Sequence, residues 1–221
     1  MESHHLSVPR TARYYTIGRA GAAVSEVWIV CHGYGQLAAP FLAAFERVAS
    51  PARLIVAPEA LSRYYLDSSR SPNDPPPRVG ASWMTREDRD HEITDHVAYL
   101  DALHDLVRPS AQARDVTLRV LGFSQGVATV ARWIAYGRAR ADELILWAGA
   151  FPPDVDLAAF SQRMSGSRVV LVAGSHDALA SWAAADTQLE RFNGAGIAAR
   201  LVQFEGGHRL DDATLDQLAA V

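Results

Sequence analysis

Short apolar runs alternate along the chain with longer stretches in which apolar residues recur every three or four positions. Glu26–Cys31, Arg53–Ala57, Val116–Leu121, Glu143–Trp147, Arg168–Ala173 and Arg200–Phe204 read as strands. They are rich in Val, Ile and Leu, and most are continuous rather than alternating, the pattern of strands covered on both faces. Arg13–Ile17 reads as an antiparallel edge strand. Between the runs lie helix-length segments. Leu37–Ala49 sets Leu37, Phe41, Leu42, Phe45 and Val48 on one stripe, and Glu92–Val107 does so with Ile93, Val97, Leu100, Leu103 and Val107. Gln125–Gly137, Leu179–Phe192 and Asp211–Ala220 read as further helices. Strand and helix alternating in this way predict a doubly wound α/β domain. No repeat or linker interrupts it, so residues 1–221 read as a single domain.

One stretch breaks the rhythm. Ser62–Arg89 has no clean period and contains SSRSPNDPPPR (Ser68–Arg78), followed by Ser82-Trp83-Met84. Its four prolines within Pro72–Pro77 forbid a helix interior or a central strand. A loop of this length in a compact domain is usually functional or mobile. Because it follows Arg53–Ala57, it is expected over the carboxyl ends of the sheet, where ligands bind in such folds.

Composition narrows the function classes. Hydrophobic residues make up 49% and charged residues 21%, enough apolar surface for a packed core. Lys+Arg 21 against Asp+Glu 25 leaves a net charge of −4, with no basic excess for a phosphate backbone, so nucleic acid is not expected as a partner. Cys31 is the single cysteine, which excludes an internal disulfide and a cysteine-rich zinc site. The polar N-terminus lacks the apolar core of a signal peptide. The longest apolar stretch, Leu144–Phe151, is too short to cross a bilayer. The expectation is a cytoplasmic protein with no membrane span.

Candidate chemistry then appears at strand ends. Gly122-Phe123-Ser124-Gln125-Gly126 is Gly-x-Ser-x-Gly between a predicted strand and a predicted helix, the setting of a nucleophilic serine on a tight turn. Such a serine needs a base and an orienting acid, and in this architecture they follow in the order acid, histidine. Asp177 follows Arg168–Ala173 through Gly174-Ser175-His176, and His208 follows Arg200–Phe204 through Glu205-Gly206-Gly207. Both therefore fall at the same sheet edge as Ser124. His32-Gly33-Tyr34-Gly35, directly after Glu26–Cys31, is placed to supply one oxyanion donor, the backbone N–H of Tyr34, with that of Gln125 as the second.

Other residues compete for these roles. Asp154 and Asp156 could supply the acid one strand earlier, although Phe-Pro-Pro before them favours a plain turn. His176 precedes the acid and reads as a loop residue. The pairs His91/Asp95 and Glu92/His96 have metal-ligand spacing, but they and His104 read better as the solvated surface of a helix, so no metal is expected. His4 and His5 are expected to be disordered, His32 to be structural, and Cys31 to be a core residue.

With these motifs assembled, the chain resembles the phospholipase/carboxylesterase family of α/β-hydrolases, which includes acyl-protein thioesterases. The resemblance rests on His32-Gly33-Tyr34-Gly35, Gly122-Phe123-Ser124-Gln125-Gly126, Gly174-Ser175-His176-Asp177 and Gly206-Gly207-His208. It implies the α/β-hydrolase fold, with Ser124 as nucleophile, Asp177 as acid, His208 as base, and Tyr34 and Gln125 as oxyanion donors. It further implies cleavage of small to medium esters or thioesters through an acyl-enzyme, without a cofactor. The chain departs from the family pattern at Val127, at Trp83-Met84-Thr85, at Ala178-Leu179-Ala180 and at Tyr34. All of these border the expected substrate pocket, and Trp83 and Met84 are its expected wall. The competing readings are a non-catalytic small-ligand binder on the same scaffold, and an acyltransferase or lyase using the same serine.

Overall fold

A computed structural model describes residues 1–67, 75–108 and 116–220. Its centre is a seven-stranded sheet of β1 (Tyr14–Ile17), β2 (Glu26–Cys31), β3 (Arg53–Pro58), β6 (Thr117–Phe123), β7 (Glu143–Trp147), β8 (Arg168–Gly174) and β9 (Ala199–Phe204), in the order β1-β3-β2-β6-β7-β8-β9. All neighbours are parallel except β1, which pairs antiparallel with β3 at the edge, as the sequence predicts.

The continuous apolar runs are explained by burial on two sides. In β2, Val27, Ile29 and Cys31 join one core cluster, while Trp28 and Val30 join the other. The first cluster is closed by α2 (Arg89–Val107), α3 (Gln125–Tyr136), α4 (Leu157–Arg163) and α5 (Trp182–Gly194), through residues such as Leu100, Trp133, Phe160 and Phe192. The second is closed by α1 (Ala38–Ala43), a 3-10 turn at Glu46–Val48, and α6 (Asp212–Ala219), through Phe41, Phe45, Leu215 and Leu218. The described helices include none long and apolar enough to cross a membrane.

Several predicted elements change in detail. The stripe of Leu37–Ala49 is realised in two pieces. Phe45 N–H donates to Leu42 and Val48 N–H to Phe45, the i to i−3 bonds of a tightened turn that keep Phe45 and Val48 facing the core. The helix expected from Leu179 begins only at Trp182, because Asp177 captures the N–H groups of Leu179 and Ala180 and Ser181 then caps the helix. The short helix α4 has too few apolar repeats for its periodicity to be seen. Ser62–Arg89 is not a plain loop: β4 (Ser62–Tyr65) and β5 (Val79–Ser82) pair antiparallel as a hairpin. Residues 68–74, which include Pro72, lie outside the described residues.

The hairpin is fastened to the turn after β2, where Gly35 N–H donates to Ala81 O and Ala81 N–H to Gln36 O. After β2 the chain moves to β3 on one side, and after β6 it moves to β7 on the other. Such a reversal opens a crevice at the carboxyl ends of β2 and β6. His32 and Ser124 both follow those ends.

Candidate active site

Ser124 stands between β6 and α3 with φ 54° and ψ −116°. A non-glycine residue holds such dihedrals only where its surroundings enforce them. Here its N–H donates to Trp147 O at 2.9 Å. The flanking glycines allow the close crossing, since a Cβ on Gly122 would collide with the Gly126 carbonyl and one on Gly126 with that of Cys31.

Ser124 Oγ lies 2.9 Å from Nε2 of His208, and His208 Nδ1 lies 2.8 Å from Oδ2 of Asp177. An ionised carboxylate only accepts, so Nδ1 carries the proton and Nε2 is left to accept from the serine hydroxyl. The other Asp177 oxygen accepts from Leu179 N–H at 2.8 Å and Ala180 N–H at 2.9 Å. Burial pushes the Asp177 carboxyl up, but the Ala180 amide, His208 and the Leu179 amide outweigh it and hold the group below its ordinary value. Residues expected at three different strand ends thus meet in one hydrogen-bonded chain.

The turn after β2 is nearly saturated. Gly33 N–H donates to Gln36 Oε1 at 2.7 Å, Gly35 N–H to Ala81 and Gln36 N–H to Gly33. Tyr34 N–H is the one amide of Gly33–Gln36 without a partner among the described residues. Gln125 N–H is the first of α3, one of the amides a helix leaves unpaired. The side chain of Gln125 is committed elsewhere: it accepts from Trp83 N–H and donates to Ser82 Oγ and Met84 O. His32 is buried, with Nδ1 at Gly33 O and Nε2 accepting from Ala60 N–H, a structural role as expected. Burial lowers its pKa against the raising effect of the Gly33 contact. Burial likewise pushes the Cys31 thiol up, consistent with a core residue.

The competing residues are engaged away from the serine. Asp154 grips Arg132 with both oxygens, at 2.7 and 3.0 Å, and Arg89 at 2.6 Å. The Arg132 contact, against burial, brings its carboxyl down to about 2. Asp156 caps α4 by accepting from Ala159 N–H. His176 is exposed beside Glu205. His91 and His5 both reach Asp88 on the surface, and their rings stack at 4.0 Å, so His5 is ordered rather than disordered.

His96 corrects the solvated-surface expectation. It faces the core against Trp83, and burial, assisted by the Arg132 charge, brings its pKa down to about 4. The helix turns it inward because its position falls on the same face as Ile93 and Leu100.

A cavity of about 610 Å³ opens beside Ser124 and His208, lined by residues of α3, the segment after β7, β8 and α5, including Phe151, Leu179, Gln188 and Arg191. Trp83 and Met84 are not among its lining residues, which corrects their expected place in the pocket wall. The Trp83 indole is buried, its N–H donates to His32 O at 2.8 Å, and its ring packs on His32. The Met84 sulfur faces Arg132. The α5 contribution was not legible in the sequence, where its face reads only as small and polar residues.

The mostly parallel seven-stranded sheet with helices on both faces is the α/β-hydrolase fold. Residues 30–213 match the serine hydrolase (FSH1) family, and the chain belongs to that family. Among solved structures it is similar to esterase PE8, with 21% identity over 96% of this chain and 97% of that one and a TM-score of 0.68. It is also similar to Zea mays acyl-protein thioesterase 2, with 17% identity, 95% and 97% coverage and a TM-score of 0.69. The Bacillus cereus carboxylesterase is 14% identical over 95% and 92% of the two chains, with a TM-score of 0.67. At these identities the likeness is one of fold. No curated protein matches the chain by sequence.

Proposed function

We propose that this serine hydrolase cleaves carboxylic esters or thioesters through Ser124, His208 and Asp177. The observation that carries the reading is the unbroken hydrogen-bonded chain from Ser124 Oγ through both nitrogens of His208 to Asp177. Ser124 attacks the substrate carbonyl as His208 Nε2 takes the hydroxyl proton, and Asp177 stabilises the imidazolium so formed. The backbone N–H groups of Tyr34 and Gln125 stabilise the oxyanion. His208 then passes the proton to the leaving alcohol or thiol, which departs as the acyl-enzyme forms. Water, activated by the same imidazole, releases the acid and restores Ser124.

The volume of the cavity suits a small to medium substrate, within the range of about 300–1,000 Å³ usual for small-molecule sites. The same reading treats the chain as one catalytic domain, supported by a single large sheet that gathers strands from Tyr14 to Phe204. A non-catalytic binder would have no need of a serine at strained dihedrals or an oriented histidine. The test is labelling with a fluorophosphonate and hydrolysis of p-nitrophenyl esters and acyl thioesters of graded length. The expected result is an adduct on Ser124, and loss of both labelling and turnover in a folded Ser124→Ala variant. Retention of most turnover by that variant would overturn the reading.

A further inference from the structure

The cavity beside Ser124 changes character along its length. Toward α3, β7 and the segment after β7 its walls are apolar, with Ala128, Leu146 and Phe151. Along α5 the lining positions run Ser181, Ala184, Gln188 and Arg191, spaced so that they share one face of the helix. From Ser181 to Arg191 the helix advances about 15 Å, which carries the cavity well away from the triad.

Two features meet at that outer end. Gln188 Oε1 accepts from Arg191 Nη1 at 2.9 Å. A guanidinium only donates, so this contact sets which way the amide points and turns the Gln188 amino group away from it. That nitrogen is buried and has no hydrogen-bond partner among the described residues. A buried donor left in this way is costly and calls for an acceptor. Arg191 supplies the second feature. No Asp, Glu or Lys and no other Arg lines the cavity, and Gln188 is the one polar partner of the Arg191 side chain among the described residues. An unopposed cation beside an unpaired donor forms a receptor for an anionic oxygen.

We infer that the substrate arm occupying this cavity ends in a carboxylate, which pairs with Arg191 and accepts from Gln188 Nε2 once that amide turns out of its buried position. The inference rests on the proposed role of Ser124, and gives that reaction its substrate class: esters or thioesters of medium length bearing a distal carboxylate. That carboxylate can belong to the acyl part, as in the half-ester of a dicarboxylic acid, or to the leaving group.

The test compares pairs of esters of equal length, one ending in a carboxylate and the other in a methyl group. One series carries the carboxylate on the acyl side and another on the alcohol side. The reading is the ratio of kcat/KM for the carboxylate-ended over the methyl-ended partner. The wild type is expected to show a ratio of about tenfold or more in one series, expressed chiefly in KM. Arg191→Glu should abolish or invert the ratio, Arg191→Lys should keep part of it, and Gln188→Leu should reduce it. Arg191 is exposed on α5, and melting temperatures check that each variant is folded. Ser124-dependent hydrolysis with no carboxylate preference in either series, or a preference that survives Arg191→Glu, overturns the inference while leaving the triad standing. Absence of Ser124-dependent hydrolysis and of fluorophosphonate labelling overturns both.

Discussion

Asp177 and Asp154 both follow strands of the parallel sheet, yet their surroundings give them different tasks. Asp177 spends one oxygen on two backbone amides and aims the other at His208. Asp154 spends both on Arg132 and shares one with Arg89. Asp177→Asn should therefore lower kcat by several orders of magnitude, while Asp154→Asn should leave most of kcat intact and lower stability. The Asp154 effect has a definite pH signature. Its folded pKa of about 2 lies below the ordinary 3.8, so the ion-pair contribution is present above the ordinary value and is lost as pH falls through the folded one. Urea midpoints of wild type and Asp154→Asn should differ by a constant amount near neutral pH and converge between about pH 4 and about pH 2. A constant gap across that window would contradict the assignment.

At the scale of elements, the segment after β5 is held by side chains that the sequence suggested for other work. Trp83 donates to His32 O, and Gln125 makes three hydrogen bonds across Ser82–Met84. Trp83→Phe should retain chain-length selectivity and cost about 1 kcal/mol, read as a lower urea midpoint. Trp83→Ala should cost about 3–5 kcal/mol, because a buried ring is removed as well. Changed selectivity at unchanged stability would restore Trp83 to the pocket wall. Gln125→Ala should reduce activity far less than Ser124→Ala, since its proposed oxyanion donor is the backbone N–H, while its lost side-chain bonds lower stability. The delayed start of α5 follows the same logic: hydrogen bonds to the acid override the helical periodicity of Leu179 and Ala180.

At the scale of the molecule, the two ends of the sheet have separate duties. The carboxyl ends carry the proposed site. Toward the amino ends, Arg119 pairs with Glu26 at 2.7 Å and Glu143 at 3.1 Å, donates to Leu218 O of α6, and lies 5.5 Å over Trp28. Arg53 repeats the motif on Glu26, Trp28 and Ala219 O. Arg119→Met should destabilise by about 3 kcal/mol, because it leaves the buried Glu143 with only the longer contact to the exposed Arg168 and takes from Glu26 one of its two cations. Well below its melting temperature the variant should still hydrolyse esters at near wild-type kcat/KM. A loss of activity without a loss of stability would show that the network reaches the site.

The strands of the main sheet and all the helices but α4, the two-sided burial of the sheet and the strand-end places of Ser124, Asp177 and His208 were legible in the sequence. Each follows from local periodicity and from the rule that a parallel sheet gathers its strand ends on one edge. The hairpin of β4 and β5 was not legible, because its short strands owe their pairing to each other and to the turn after β2. The inward turn of His96 and the burial of Trp83 were likewise hidden, since both depend on which helices pack over them. The cavity was decided by tertiary structure alone. Its walls come from α3, the segment after β7, β8 and α5, whose small residues have no chemical signature until packing sets them around one space beside the serine. Periodicity and motif act within a few turns of chain, whereas a pocket is made by side chains far apart in sequence.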